Sequence, residues 1–368
     1  MILGGGGFIG SNLARRYVEM GREVIAVDQA FPDFRREALA GAGLAVRDLR
    51  VQPQVASVMF PGALVFHLAA DMGGVGYFHS DADWPASLNN ARITLNVAEA
   101  AGRAGVDRLV YASSACACAT EPASACATWP AMYPDYPECG GVPPALDESD
   151  LYWGTPDARY GQEKRNGAHL FTSAPYDARV AILHTVYGPL QEHEGVRMKF
   201  PAAVATKALA ARETGRLEVW GDGTQTRSYL YVDDAVDRLV QLAEADVNPG
   251  PIMVGAEGSV SCDEIARLCL ELAGVPDAEE VHVDGPTGVA ARDCDLSRWR
   301  EVFGEPHQTS YRDGFAAFVE WLDSLGMEEA AWGSRSGRRP TKRGNWWARW
   351  PCSSTKWNRP TSPRAPSP

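Results

Sequence analysis

Apolar residues along the first half of the chain fall into two alternating rhythms. VIAVD (24–28), LVFHLAA (64–70), RLVYASS (108–114) and VAILHTVYG (180–188) are short apolar runs with the length and β-branched content of buried strands. Between them, SNLARRYVEM (11–20) and NNARITLNVAEAAGRAG (89–105) space apolar residues three and four apart, as one-sided helices do. This alternation predicts an α/β domain, a parallel sheet wrapped by helices. From about residue 195 the rhythm becomes α+β. A helix is expected near 200–213, strands at LEVW (217–220) and SYLYV (228–232), and a helix at 234–245. SVSCDEIARLCLELAG (259–274) opens with Ser261 and Glu264 at the spacing of a capping box.

Two stretches break these rhythms. Residues 117–150 are rich in Pro, Ala, Cys and Tyr, follow SACACAT (114–120) with a second SACAT (124–128), and read as a long irregular insertion. Residues 331–368 carry nine Lys or Arg, no acid and five of the eleven tryptophans, without periodicity, and read as a disordered basic tail. The expected organisation is therefore a first domain over 1–190, a smaller substrate-binding domain over 191–330, and the tail.

Composition narrows the function classes. With 45% hydrophobic and 22% charged residues among 368, the chain reads as an ordinary soluble globular protein of two domains or one large unit. Eight cysteines are too few for a disulfide scaffold. MILGGGGFIG has neither a basic region nor a long apolar stretch, and no run of 18 apolar residues follows, so the expectation is a cytoplasmic protein without a membrane partner. The net charge is −12, and the basic tail leaves the body more acidic still. That argues against nucleic acid as the main partner; an anionic ligand would have to be held by local groups.

The chemistry begins at GGGGFIGSNLARR. Gly5, Gly7 and Gly10 satisfy GxGxxG, and Gly4, Gly7 and Gly10 satisfy GxxGxxG, at the mouth of a predicted helix. Glycine is needed where the backbone turns tightly, approaches a pyrophosphate and packs helix on strand, and the helix N-terminus offers its free N–H groups to the phosphates. Asp28 ends the next strand, 18 residues after Gly10. A carboxylate there accepts the ribose hydroxyls and repels a 2′-phosphate, which favours NAD over NADP. Asp48 ends the following strand, where it could meet adenine; Phe8, Ile9, Leu49 and Ala69 complete the expected cofactor wall. The fold class is then a Rossmann-type doubly wound parallel sheet with a smaller α+β domain. Only Met1–Leu3 precede the glycines, where a strand usually has five or six residues, so a weak sheet centre is expected.

RYGQEK places Tyr160 and Lys164 one helical turn apart. The ammonium is expected to lower the phenol's pKa, so that the phenolate can take a hydroxyl proton while hydride leaves to NAD. Ser114, at the end of RLVYASS, can hydrogen-bond the same hydroxyl. Three thiols follow at once: Cys116, Cys118 and Cys126. Their spacing matches no common zinc site, a disulfide is disfavoured in a reducing compartment, and inert buried thiol and catalytic thiol both remain open.

Over residues 3 to 325 the chain resembles the extended short-chain dehydrogenase/reductases, the NAD-dependent nucleotide-sugar epimerases and dehydratases. Within them LAADMGGVGY (68–77), YASSAC (111–116), RYGQEK (159–164), RMKFPAA (197–203), WGDGTQTRSYLYVDD (220–234) and GPTGVAARDCD (285–295) are similar to the GDP-mannose 3,5-epimerases. The resemblance implies a GDP-sugar substrate and a transient ketone at C4 made with Ser114, Tyr160 and Lys164. It implies that Cys116 and Lys199 move the carbon-bound protons at C3 and C5, with Cys126 as the alternative thiol. Asp71, Met72, Gly73 and Gly74 would face the sugar, Gln225 would touch the substrate, and Arg227 and Arg292 would clamp the diphosphate. It implies no metal, and a homodimer formed through helices near 89–104 and 160–173. A 4-epimerase, a 4,6-dehydratase, and a non-catalytic NAD-binding protein are the competing readings.

Overall fold

The computed structural model describes residues 1–118, 145–152 and 155–326. Its strands are β1 (Ile2–Leu3), β2 (Ile25–Asp28), β3 (Gly43–Val46), β4 (Leu64–His67), β5 (Arg108–Ser114), β6 (Ala178–Leu183), β7 (Thr185–Tyr187), β8 (Arg216–Trp220), β9 (Thr226–Arg227), β10 (Tyr229–Tyr231), β11 (Ile252–Val254), β12 (Val260–Ser261), β13 (Glu279–Val283) and β14 (Ala291–Arg292). Its helices are α1 (Phe8–Glu19), α2 (Gln52–Ala56), α3 (Val75–Phe78), α4 (Asp83–Ala104), α5 (Ala158–Thr172), α6 (Phe200–Thr214), α7 (Val232–Glu244), α8 (Cys262–Leu272), α9 (Ser297–Phe303) and α10 (Tyr311–Ser324). The predicted tail and most of the predicted insertion, with Cys126, lie outside the described residues.

Seven strands form one sheet in the order β11-β6-β5-β4-β1-β2-β3, and every pairing in it is parallel. The order reverses at β1, which opens a crevice beyond the strand ends between β1 and β4, where an open α/β sheet binds its ligand. β1 is only two residues long, yet it pairs on both sides, Ile2 with Ala26 and Phe66, Leu3 with Val27 and His67. Strands buried on both faces need near-continuous apolar runs; β5 and β6 supply them, and β6 is buried at every position.

Helix ends follow local chemistry. α4 and α6 stop at Gly105 and Gly215, both at φ 68°, the left-handed cap that glycine adopts without Cβ strain. The capping box at α8 is present, with Glu264 N–H donating to Ser261 Oγ and Ser261 N–H donating to Glu264 Oε2.

The run 180–188 is not one strand. It breaks at His184, whose N–H donates to Val254 O, and β7 then leaves the main sheet to pair with β10. A continuous apolar run carries no mark of the sheet change. After β7 the chain builds the small domain, but α7 and β11 return to the large one: Val236, Leu239 and Met253 sit in the same core as Val65, Leu109 and Ile182. A second core joins α6, α8 and α10 through Ala205, Ile265, Phe318 and Trp321. Among the described residues no helix is long and apolar enough to cross a membrane.

Candidate active site

The glycine turn follows β1 directly. Gly7 caps α1 with extended backbone, Gly4 has φ 84°, and a Cβ on Gly10 would stand 2.1 Å from Gly4 O. The turn therefore admits no side chain at Gly10 and leaves the first N–H groups of α1 open to an anion. Beside it lies a groove of about 120 Å³ lined by Gly4, Gly7, Asp28, Asp48, Leu49, Ala69 and Asp71, among others. Asp28 accepts from Gly6 N (3.0 Å) on one oxygen and Gln29 N (2.7 Å) on the other, and the Ala30 N–H adds a third backbone bond. Burial pushes the Asp28 carboxyl up from its ordinary value, against these backbone donors and the nearby Arg35. Asp48 is held by Arg50 through two side-chain bonds of 2.9 and 2.8 Å, a partner the sequence did not announce. β3 also ends at Val46, two residues short of Asp48.

The reactive end assembles where β5 meets α5. Gly161 and Gly167 let the helix lie against the strand: a Cβ on the first would be 2.1 Å from Cys116 O, and one on the second 2.3 Å from Tyr111 Oη. Tyr160 is thereby buried against Phe78, ring centroids 5.0 Å apart, and its hydroxyl shares a hydrogen bond with Ser114. Lys164 is buried below, its Nζ donating to Ala112 O at 3.1 Å and lying 5.9 Å from the Tyr160 ring centroid. The expected lowering of the phenol is not what the structure gives. Burial, then the Cys116 and Glu163 charges, push Tyr160 well up, and the Ser114 bond offsets this only in part. Lys164 itself is lowered by burial, with Glu163 opposing.

Cys116 follows β5 in a short turn, its N–H donating to Ser114 Oγ at 3.2 Å. Lys199 precedes α6 and comes from 83 residues further along the chain. The two are electrostatic neighbours: burial lowers the Lys199 ammonium, Cys116 opposes this, and Lys164 adds to it. Cys118 is fully buried and its thiol is pushed up to about 12 by burial, which makes it the inert thiol of the pair.

A loop clamps Lys199 from the other side. A Cβ on Gly74 would stand 2.1 Å from Met198 O. Asp71 accepts from Arg197 Nη1 (2.8 Å), Tyr77 Oη (2.8 Å) and Asn89 Nδ2 (3.0 Å). Burial pushes the Asp71 carboxyl up, but these three donors win and hold it below its ordinary value. Arg197 also donates to Met72 O at 2.8 Å. Asp71 thus ties the loop together rather than presenting a free carboxylate, and Gly73 packs on Tyr77. Arg197, Tyr77, Asn89 and Phe78 were missed in the sequence because each acts through a partner distant along the chain.

The substrate-side residues divide. Arg292 is buried and donates to Cys116 Sγ (3.3 Å) and Asp157 Oδ2 (2.9 Å), contacts the sequence did not announce. Arg227 lies beside it, with Nη1 on Thr226 O. Gln225 donates to Asp222 Oδ1 at 2.7 Å and lines a cleft of about 450 Å³ that shares no lining residue with the cofactor groove. His282, which also lines that cleft, joins Asp263 and Glu280 in bringing ligand atoms within 4.8 Å of one another, but Arg267 already sits on both carboxylates.

A family model, that of the NAD dependent epimerase/dehydratase family, matches residues 1–255. The chain belongs to this family. Among curated epimerases, the GDP-mannose 3,5-epimerase of Arabidopsis thaliana is 33% identical over 342 residues, covering 90% of this chain and 84% of that one. The UDP-glucose 4-epimerase of Mycolicibacterium smegmatis is 28% identical over 334 residues, covering 88% and 97%. The solved UDP-glucose 4-epimerase of Thermus thermophilus, a complex with NAD, superposes with a TM-score of 0.70 at 23% identity, covering 88% and 98%. The protein is thus an NAD-dependent nucleotide-sugar epimerase/dehydratase, and its glycine turn, which a Cβ would fill, and its groove with Asp28 fit that cofactor.

Proposed function

We propose that the chain epimerises a GDP-hexose, GDP-mannose above all, at C3, C5 or both, through a transient 4-keto sugar. The observation that carries this reading is the convergence of Cys116 and Lys199 beside Ser114 and Tyr160. Inverting C4 alone needs only a hydride removed and returned on opposite faces. Inverting C3 or C5 needs a proton taken from one face of a carbon and another delivered to the opposite face, hence two groups of this kind. The 33% identity to a GDP-mannose 3,5-epimerase supports the same choice.

NAD, when bound along Gly4, Gly7, Gly10, Asp28 and Asp48, supplies a reversible hydride acceptor for C4. In its phenolate form, which burial disfavours, Tyr160 Oη takes the C4 hydroxyl proton, with Ser114 Oγ orienting that oxygen. Lys164, on Ala112 O, holds the base of the site in place. The ketone acidifies the C–H bonds at C3 and C5. Of Cys116 Sγ and Lys199 Nζ, one removes the proton and the other delivers one; the sulfur or nitrogen that delivers keeps the electron pair, and Tyr160 returns its proton when C4 is reduced. Arg227 is left for the diphosphate. We further propose a homodimer through α4 and α5, where Trp84, Leu88, Leu95 and Leu170 are exposed; light scattering would read it directly.

The test is incubation with GDP-mannose and NAD in deuterated water, followed by NMR of the sugar. Deuterium at C3 or C5 is expected. Inversion at C4 without carbon-bound label would replace this reading by the 4-epimerase one, which the M. smegmatis relative keeps open.

A further inference from the structure

Arg292 is held through both its side chain, at the reactive end, and its backbone. It lies on β14, whose backbone is tied to the β9 segment by Thr226 N–H to Ala290 O (2.9 Å) and Ser228 N–H to Arg292 O (3.0 Å). Its side chain is 9% exposed. Nη1 donates to Cys116 Sγ, Nη2 to Asp157 Oδ2, and Nε is buried without a partner among the described residues. Asp157 returns to the same cysteine, its N–H donating to Cys116 O at 2.9 Å. Cys116, Arg292 and Asp157 therefore close a ring that fixes both the backbone and the sulfur of one residue. Gly161, pressed on Cys116 O, shuts the remaining side.

We propose that Arg292 is the positioning residue of Cys116: it fixes Sγ and supplies the counter-charge when the sulfur's proton is on the sugar. The proposal rests on the epimerase reading for its purpose, but the contact can be tested without it. When Cys116 gives its proton to a sugar carbon, the S–H bond breaks, a C–H bond forms and the electron pair stays on sulfur. A buried guanidinium donor on that sulfur is a charge-assisted hydrogen bond, about twice as strong as a neutral one. Asp157 keeps the guanidinium from turning to solvent or to the substrate.

The experiment is the alkylation rate of Cys116 by iodoacetamide in the full chain at neutral pH, read by mass spectrometry. Fragment ions separate it from the buried Cys118. Arg292→Met is expected to slow alkylation of Cys116 about tenfold, with Arg292→Lys restoring most of it, since a charge-assisted hydrogen bond to sulfur favours its thiolate. Opening space beside the sulfur would have the opposite effect on the rate. In the exchange assay kcat falls while KM for GDP-mannose stays within about twofold. Unchanged alkylation together with a raised KM would overturn the proposal and return Arg292 to the diphosphate. If Arg292→Met fails to fold, Asp157→Ala takes its place; that side chain makes no cap bond to α5, and a few-fold slowing is expected, an unchanged rate being fatal. A wild-type protein that shows no exchange would sink the epimerase reading, and the alkylation rates would still decide whether Arg292 holds the sulfur.

Discussion

The two ends of the site are built by different means. The cofactor end is made of backbone: a turn of glycines, the start of α1 and a carboxylate that bonds Gly6 N, all within 28 residues. The acid/base end is made of side chains from four distant places, with Arg292 reaching Cys116 across 176 positions and Arg197 reaching Asp71 across 126. A site made of local backbone tolerates almost no added atom but depends little on remote residues. A site made of remote side chains can be detuned from far away while the cofactor stays bound.

The largest expected effect lies in the chemistry. Cys116→Ala and Lys199→Met should each lower deuterium exchange by about 10²- to 10⁴-fold, with NAD retention, read by absorbance after denaturation, unchanged. Because burial lowers Lys199, its neutral form is populated at lower pH than an ordinary lysine's, and exchange should rise with pH through an inflection below about 10.4. A rise that persists in Lys199→Arg would assign the base elsewhere.

Paired glycine substitutions come next. Gly74→Ala forces a Cβ onto Met198 O and displaces Lys199, so exchange should fall by about 10²-fold while NAD binding holds. Gly10→Ala forces one onto Gly4 O, and NAD affinity itself should fall by about tenfold or more. If both variants lose NAD together, the two ends are one cooperative unit and the contrast fails.

A smaller effect is expected from Asp71→Asn, which keeps the size but removes the charge facing Arg197. Exchange should slow by a few-fold, about the weight of one partly exposed charged hydrogen bond. KM should be less affected than kcat if the loop acts by holding Lys199.

The smallest effect separates scaffold from site. His67 on β4 and His184 at the end of β6 are buried and lowered to about 3, by burial first and then by Lys164 and Arg292 respectively. Their folded values lie below the unfolded value of about 6.5. The unfolded chain therefore binds more protons between those limits. The stability these residues contribute is complete above that unfolded value and is lost as pH falls towards 3. Urea titrations should show a slope of about 1.4 kcal/mol per pH unit for each histidine, reduced in His67→Asn.

Legibility followed the same division. β5 was read to the residue and the helices near 89 and 200 to within a few, because strand and helix periods are local properties. β11 and the half-exposed β13 were missed, being short or polar, and the break at His184 was invisible because a sheet change leaves no local mark. Tyr160 and Lys164 were named from their spacing and Ser114 from the end of its strand, and the three lie together, yet the direction in which the phenol is tuned was read the wrong way, since desolvation is not written in a motif. Arg292 was named for a diphosphate, and its contact with Cys116 was not foreseen, because the two lie 176 positions apart.

By itself the sequence determined the alternation of strand and helix, the glycine turn and its acidic partner, and the residue types able to move hydride and protons. These depend on backbone sterics and on periods of two and 3.6 residues, which act over a few positions. Only the tertiary structure decided which cysteine faces a cation, that Lys199 is desolvated beside it, and that Arg197 and Asp71 lock the loop above it. Those outcomes depend on burial and on distances between residues far apart in the chain, quantities that exist only once the chain has closed on itself.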